Sequence, residues 1–200
     1  YDVTDYSILD YLQKVLDRKN EAKTEQLVAS LAYYGQAAME YVHYNTGTVN
    51  KFIKDNNLQQ LKSTITGVAT DEVSEGMEKV ARITVAFESL NRILVAVKKD
   101  YFESNKYTIT VNGVAVDASE WKTDVIDGYY VYETNGVAAS YITAEEHSVT
   151  VVVKDGDTPV QTVKYNVAGY CFKMQNHARM GKLAKATYYY GVAAAEYAAA

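Results

Sequence analysis

An internal repeat at the two ends of this 200-residue chain constrains its fold more than any other feature. Residues 27–41 (LVASLAYYGQAAMEY) and 183–197 (LAKATYYYGVAAAEY) share the pattern L-x-x-x-x-x-Y-Y-G-x-A-A-x-E-Y. In both copies the larger side chains recur at steps of three and four, which places them on one face of an α-helix. A shorter amphipathic segment precedes each copy, so the repeat predicts an αα-hairpin at each end of the chain.

The first of these helices is expected to be capped by Thr24, with Glu25 in its first turn. Gly35, like Gly191 in the second copy, lies inside the predicted helix at a cost of about 1 kcal/mol relative to alanine. We therefore expect the bare backbone at both glycines to allow close approach of another element. The predicted buried face of the first copy consists of Leu27, Leu31, Tyr34, Ala38 and Tyr41.

Between the two copies the hydrophobic period changes from 3.6 to 2, starting near Thr64, and β-branched and aromatic residues become frequent. Strands are predicted at 80–87, 92–97 and 107–111, and a hairpin at 147–165 that turns at Asp155-Gly156. Seven or so short strands without intervening helices favour an antiparallel immunoglobulin-like sandwich over a barrel. Trp121 and the run YYVY at 129–132 are expected to supply much of its aromatic core.

These elements predict an α+β fold in which an antiparallel immunoglobulin-like β-sandwich is flanked by two repeated αα-hairpins. The expected division is an N-terminal αα-hairpin with a short connecting helix at 1–63, the sandwich at 64–165, and a C-terminal αα-hairpin at 166–200. The last segment repeats residues 6–41.

The charge balance excludes several classes of partner. Twenty Lys and Arg against 25 Asp and Glu leave a net charge of −5, so the chain lacks the basic character that binds nucleic acid or an anionic membrane. Its apolar stretches are far shorter than the ~20 residues of a membrane span, and no membrane insertion is expected in this segment. The single cysteine, Cys171, excludes an internal disulfide and a thiolate zinc site.

No motif with catalytic or metal-binding spacing occurs. The three histidines are isolated from one another, and neither Asp155 with Asp157 nor the group Asp71, Glu72 and Glu75 has the spacing of a calcium loop. Nucleophile-elbow, P-loop and dinucleotide-binding patterns are also missing. We expect no catalytic residue, no metal and no cofactor, and therefore no enzyme.

Nineteen tyrosines are the main candidates for binding, because exposed rings stack on sugars or anchor protein partners. Several lie off the predicted apolar face of a helix, and others alternate across the strand at 129–132, so that some rings must point outward. The alternative is that these rings cover the joint between helices and sandwich. The candidate ligand-binding residues are Tyr33, Tyr129, Tyr130, Tyr188 and Tyr189.

Several motifs together resemble a known family. The opening Y-x-I/V-x-x-Y, the helix ending Y-Y-G-x-A-A-x-E-Y, the continuation His43-Tyr44-Asn45-Thr46 and the strand YTITVNG at 107–113 resemble a module near the C-termini of large secreted cell-surface proteins of gut Clostridia. There, such helices alternate with β-domains. The resemblance extends over residues 6–197 and implies an extracellular, wall-associated location in an anaerobic Gram-positive bacterium. The second copy departs from it, because the Tyr-Asn-Thr continuation does not follow Tyr197.

The resemblance carries no ligand or catalytic residue. The expected function is that of a non-catalytic extracellular module in adhesion or carbohydrate binding, with a polysaccharide, a host glycan or neighbouring domains of the same surface protein as partner. A structural spacer that presents neighbouring domains, and an accessory domain of a secreted polysaccharide-degrading enzyme, remain as alternatives.

Overall fold

Six α-helices and two antiparallel sheets make up the part of the chain that the computed structural model describes, which is residues 7–18, 21–68, 72–73 and 79–200. The structure is therefore α+β, as predicted. Tyr6, at the start of the first repeat, lies outside the described residues. The helices are α1 (Ile8–Asp17), α2 (Ala22–Tyr41), α3 (Gly47–Asp55), α4 (Lys99–Glu103), α5 (Val167–Met174) and α6 (Gly181–Ala198).

The chain divides into two compact units. We call Tyr1–Thr66 together with Met174–Ala200 the helical unit, and Gly67–Lys173 the sheet unit. The helical unit is thus built from both ends of the chain, and the sheet unit from one continuous segment.

The two repeat copies, α2 and α6, pack against each other in the helical unit. Their equivalent residues Tyr34 and Tyr190 stack with ring centroids 5.5 Å apart. Glu40, near the end of α2, pairs with Lys182 at the start of α6 across 2.6 Å. The two helices therefore run antiparallel, and the contact between equivalent tyrosines gives the pair an approximate two-fold relation.

The predicted buried face of α2 is wrong in detail, because all five of its residues are only half-buried. Val28 and Ala32 instead pack against Leu12 of α1 and Phe52 of α3 in one apolar cluster. The helix is covered on more than one side, and small side chains are buried where neighbouring helices come close. The buried residues of α2 are Val28, Ala29, Ser30, Ala32 and Ala37.

Two further local predictions are corrected. The N-cap of α2 is Glu21 and not Thr24, which lies within the first helical turn. A Cβ added at Gly35 would meet nothing within 4 Å, so no element approaches this glycine closely. Gly191, in the second copy, is buried in α6.

The strands form a five-stranded sheet in the order β1-β8-β7-β4-β5 and a three-stranded sheet in the order β2-β3-β6, with every pairing antiparallel. The predicted strands and the hairpin at 147–165 are confirmed. Asn112 and Gly113, with φ values of 52° and 80°, turn the chain between two strands. The strands are β1 (Glu72–Val73), β2 (Ala81–Ala86), β3 (Arg92–Lys98), β4 (Tyr107–Val111), β5 (Val114–Ala115), β6 (Tyr129–Glu133), β7 (Val149–Asp155) and β8 (Thr158–Tyr165).

Candidate functional site

Tyr33 and Tyr189 occupy equivalent positions in the two repeat copies, and both hold the same irregular segment. The Tyr33 hydroxyl donates to the carbonyl of Leu58 at 3.4 Å, and the Tyr189 hydroxyl donates to the carbonyl of Thr64 at 2.5 Å. Burial raises the pKa of both phenols above the ordinary value. These two predicted site residues therefore anchor the segment 58–64, which follows α3.

Tyr188 lies beside this anchor. Its ring meets the ring of Tyr189 edge to face with centroids 5.1 Å apart, and both rings are half-buried. In the first copy the equivalent position is Ala32, which packs beneath Phe52 of α3. Tyr188 thus supplies bulk in the second copy at the position where the first copy carries a small residue.

The other two predicted residues, Tyr129 and Tyr130, lie on opposite faces of β6 in the sheet unit. Tyr130 stacks on Phe102 with centroids 4.0 Å apart, and its hydroxyl donates to Glu103 at 3.3 Å. Trp121 is buried against the same Phe102. Tyr129 packs instead beside a separate cluster on the other face of the sheet. Three of the five predicted tyrosines therefore belong to the helical unit and two to the sheet unit.

A groove lies on the surface of the helical unit. Two adjoining recesses of about 420 and 200 Å³ share Gln26, Ala29 and Gln59 in their walls. Tyr189 lines the smaller recess. We call the two recesses together the amide groove, because five side-chain amides line it: Gln26, Asn56, Asn57, Gln59 and Gln60.

The wall formed by segment 58–64 is fixed at both ends. Asn57 adopts a positive φ of 48° directly after α3 and turns the chain across the helices. Leu58 then packs against the apolar cluster of α1, α2 and α3. Beyond the anchor at Thr64, the buried amide of Gln175 accepts from the Ile65 N–H at 2.8 Å and donates to the Ile65 carbonyl at 3.4 Å. The backbone that carries Gln59 and Gln60 is consequently held in one position.

The chemistry of the amide groove suits neutral hydroxyl groups. Gln26, Gln59 and Gln60 are exposed, and their amides form no hydrogen bond with any described residue. Each amide offers two donor hydrogens and an acceptor oxygen, and a sugar hydroxyl needs both kinds of partner. Glu25 is the one carboxylate in the described lining. Glycoside hydrolysis commonly uses a pair of carboxyl groups, and the described lining holds no such pair.

Sequence reasoning identified Tyr189 but missed the glutamines. Gln26 comes from the start of α2, and Gln59 and Gln60 come from the irregular segment after α3. No spacing in the sequence links these positions, since tertiary packing brings them together. The adjacent pair Gln59-Gln60, with Asn56-Asn57 just before it, was the one available signal.

The described part of the chain has few other groups that could bind a metal or react as a nucleophile. No three His, Cys, Asp or Glu side chains there meet in an arrangement that holds a metal ion. Asp71 and Glu75 of the acidic group considered for calcium lie outside the described residues. Cys171 is completely buried, and this burial raises the pKa of its thiol to about 12. No described helix is both long enough and apolar enough to cross a bilayer.

Comparison with protein-family models, with curated proteins and with solved structures gives no match to this chain.

Proposed function

We propose that this chain is a non-catalytic extracellular module that binds carbohydrate through the amide groove. The observation that carries the proposal is the cluster of exposed amides beside the ring of Tyr189, on a backbone segment held at both ends. A rigid backbone lowers the entropy that binding costs. Amide side chains then bond the hydroxyls of a sugar, and the aromatic ring offers an apolar edge to its C–H groups.

The extracellular location and the bacterial surface setting follow from the resemblance to the clostridial surface modules. In this proposal the partner is a polysaccharide or a host glycan.

The proposal includes an immunoglobulin-like sandwich as the fold of the sheet unit. In this proposal β2, β3 and β6 take the places of strands A, B and E, and β5, β4, β7 and β8 take the places of strands C′, C, F and G, with β1 as an additional strand beyond β8. Gln161 of β8 bonds through its buried amide to the backbone N–H and carbonyl of Ala81 in β2, both at 2.8 Å. This link between the sheets supports face-to-face packing.

The test is a glycan array together with pull-down on insoluble polysaccharides, using residues 1–200. The variant Gln59→Ala plus Gln60→Ala removes two exposed amides without disturbing a packed contact. We expect this variant to lose binding while its circular dichroism stays unchanged. Asn176→Ala, an exposed amide of the same unit that does not line the groove, is expected to bind like the unchanged chain.

Tyr189 needs a gentler change than alanine, because alanine removes the ring that lines the smaller recess as well as the hydroxyl that holds Thr64. Tyr189→Phe keeps the ring and removes only the hydroxyl, and it is expected to retain most of the binding because Gln175 still holds the backbone of Ile65. If no glycan binds, the carbohydrate function is wrong. If the amide variant binds as well as the Asn176→Ala control, the amide groove is not the binding site.

A structural spacer is the second candidate function. It is favoured by the internal contacts of Tyr33, Tyr188 and Tyr189, which serve packing in the helical unit. A chain that binds no glycan and unfolds at high temperature would agree with this role.

A further inference from the structure

A further recess, distinct from the amide groove, lies in the sheet unit. It is lined by cations that come from different elements. It has a volume of about 320 Å³ and lies beside β2 and β8. This size falls within the range of ordinary ligand sites, roughly 300–1,000 Å³. We call it the basic groove, because its charged side chains are Lys79, Arg82, Lys98 and Lys173.

The described residues that line this groove carry a charge opposite in sign to that of the whole chain. The net charge is −5, yet no carboxylate occurs among the described residues that line the groove. Lys79, Arg82 and Lys98 are exposed, and none of them pairs with a carboxylate of the described residues. A cleft lined by one sign of charge focuses the field and raises the local concentration of oppositely charged ligands.

The walls of the basic groove are held in place. The Gln161 amide uses its acceptor and one of its donors on the Ala81 backbone, which fixes β2 beside β8. Lys98 stands opposite Tyr129 in the register of β3 and β6. The Lys173 ammonium lies 5.8 Å from the ring centroid of the buried Tyr165. Arg82 lies in β2, Lys98 in β3 and Lys173 in α5, so the backbone that carries these three cations needs little ordering when an anion binds.

We propose that the basic groove binds the carboxylates of an acidic polysaccharide, as a site separate from the amide groove. Several cations along one open recess match a polymer that bears a charge on successive sugars, and an ammonium or guanidinium bonds strongly to a carboxylate. The ring of Tyr129, a residue singled out from the sequence, adds an apolar wall beside Lys98. The choice of a sugar polymer rests on the proposed carbohydrate function, whereas the preference for an anion rests on the groove alone.

The experiment is titration calorimetry of residues 1–200 with polygalacturonate at an ionic strength of about 0.15 M, where the Debye length is about 8 Å. Lys98→Gln is compared with Lys99→Gln, an exposed neighbour that changes the net charge equally but does not line the groove. We expect Lys98→Gln to weaken binding by about fivefold or more, since a hydrogen bond to a charged group is lost. Lys99→Gln is expected to stay within about twofold, because an exposed charge outside the groove is screened.

Equal weakening by the two variants would overturn the proposal, because the effect would then come from net charge alone. The absence of polygalacturonate binding would also overturn it, as would binding of inorganic phosphate to the groove without binding of the polymer. The Gln59→Ala plus Gln60→Ala variant separates this proposal from the first one. It is expected to bind polygalacturonate normally, and Lys98→Gln is expected to keep any binding of neutral glycans.

Discussion

Cys171 is completely enclosed in the sheet unit, and this makes the stability of the protein sensitive to alkali. The pKa of the thiol is about 12 in the folded chain, because burial disfavours the thiolate. In the unfolded chain the pKa is about 8.5. Between these two values the unfolded state has released the proton and the folded state keeps it. The contribution of the buried thiol to the free energy of unfolding is therefore fully present below pH ~8.5. Above this pH the free energy of unfolding falls by about 1.4 kcal/mol for each further pH unit.

The measurement is urea unfolding at pH 8.0, 9.0 and 10.0 for the unchanged chain and for Cys171→Ala. The variant is expected to be less stable at every pH, since it leaves a cavity. Its stability should nevertheless fall less with rising pH, and the difference between the two slopes isolates the thiol because every other side chain is the same in both proteins. Parallel slopes would mean that the thiol ionises as easily in the folded chain as in water.

Two glycines are expected to respond to alanine in opposite directions. Gly35 lies in the middle of α2 with open space where a Cβ would stand, so Gly35→Ala should stabilise the protein by about 0.5–1 kcal/mol. At Gly136 a Cβ would stand 2.5 Å from the Cβ of Leu90. Hydrogen bonds of 3.0 and 2.7 Å between Asn91 and Val137 hold the two segments together, so Gly136→Ala should cost about 1–3 kcal/mol.

Thermal unfolding of the two glycine variants checks this pair. We expect the melting temperature to rise for Gly35→Ala and to fall for Gly136→Ala. A fall for Gly35→Ala would show that α2 needs its glycine for a contact that the geometry does not contain.

At the scale of elements, the segment after α3 depends on one buried side chain. Gln175 satisfies both the N–H and the carbonyl of Ile65, which is itself completely buried. Gln175→Leu keeps a similar volume but leaves these two backbone groups without partners. We expect a loss of about 1–3 kcal/mol and faster hydrogen exchange at the Ile65 amide.

Gln36→Leu is the matched control for this change. The Gln36 amide bonds to the exposed side chain of Asn50, which water can solvate when the glutamine is removed. The loss of stability there is expected to stay below about 0.5 kcal/mol. If both substitutions destabilise the protein equally, the interaction of Gln175 with Ile65 does not control the segment.

The long elements of this fold were predictable from the sequence, because their periodicity extends over many residues. α2, α6 and the β7–β8 hairpin follow directly from the spacing of apolar residues and from the Asp155-Gly156 turn. α4 was not predictable, since five residues make little more than one helical turn and carry no period. Phe102 in this short helix nevertheless joins Trp121 and Tyr130 in one aromatic cluster.

The face that a helix buries was harder to predict than the helix itself. Periodicity selected Leu27 and Leu31, but Val28 and Ala32 lie deeper because α1 and α3 pack on that side. The tyrosines illustrate the same limit. Composition indicates that many rings are present, and only the fold shows that the hydroxyl of Tyr33 is engaged by a backbone carbonyl. Tertiary neighbours, which a single sequence does not reveal, decide which face of a helix is buried and which tyrosine hydroxyls are hydrogen-bonded.

At the scale of the whole molecule, the repeat determines how the chain can be divided. The sheet unit is one continuous segment, Gly67–Lys173, whereas the helical unit needs both ends of the chain. Packing of α2 against α6, through the stacked Tyr34 and Tyr190, joins those ends. A fragment that contains only the first end exposes the surface that α6 covers, and apolar surface left in water removes most of its stability.

We therefore expect residues 67–173 alone to fold and to unfold cooperatively on heating, because a unit with its own core behaves as a domain. Residues 1–66 alone should show weak helical circular dichroism and no sharp transition. Adding a peptide of residues 174–200 should restore both the helical signal and a cooperative transition at a temperature that rises with peptide concentration. A cooperative transition of residues 1–66 without the peptide would mean that the repeat copies are independent hairpins, and that the contact of Tyr34 with Tyr190 contributes little to the fold.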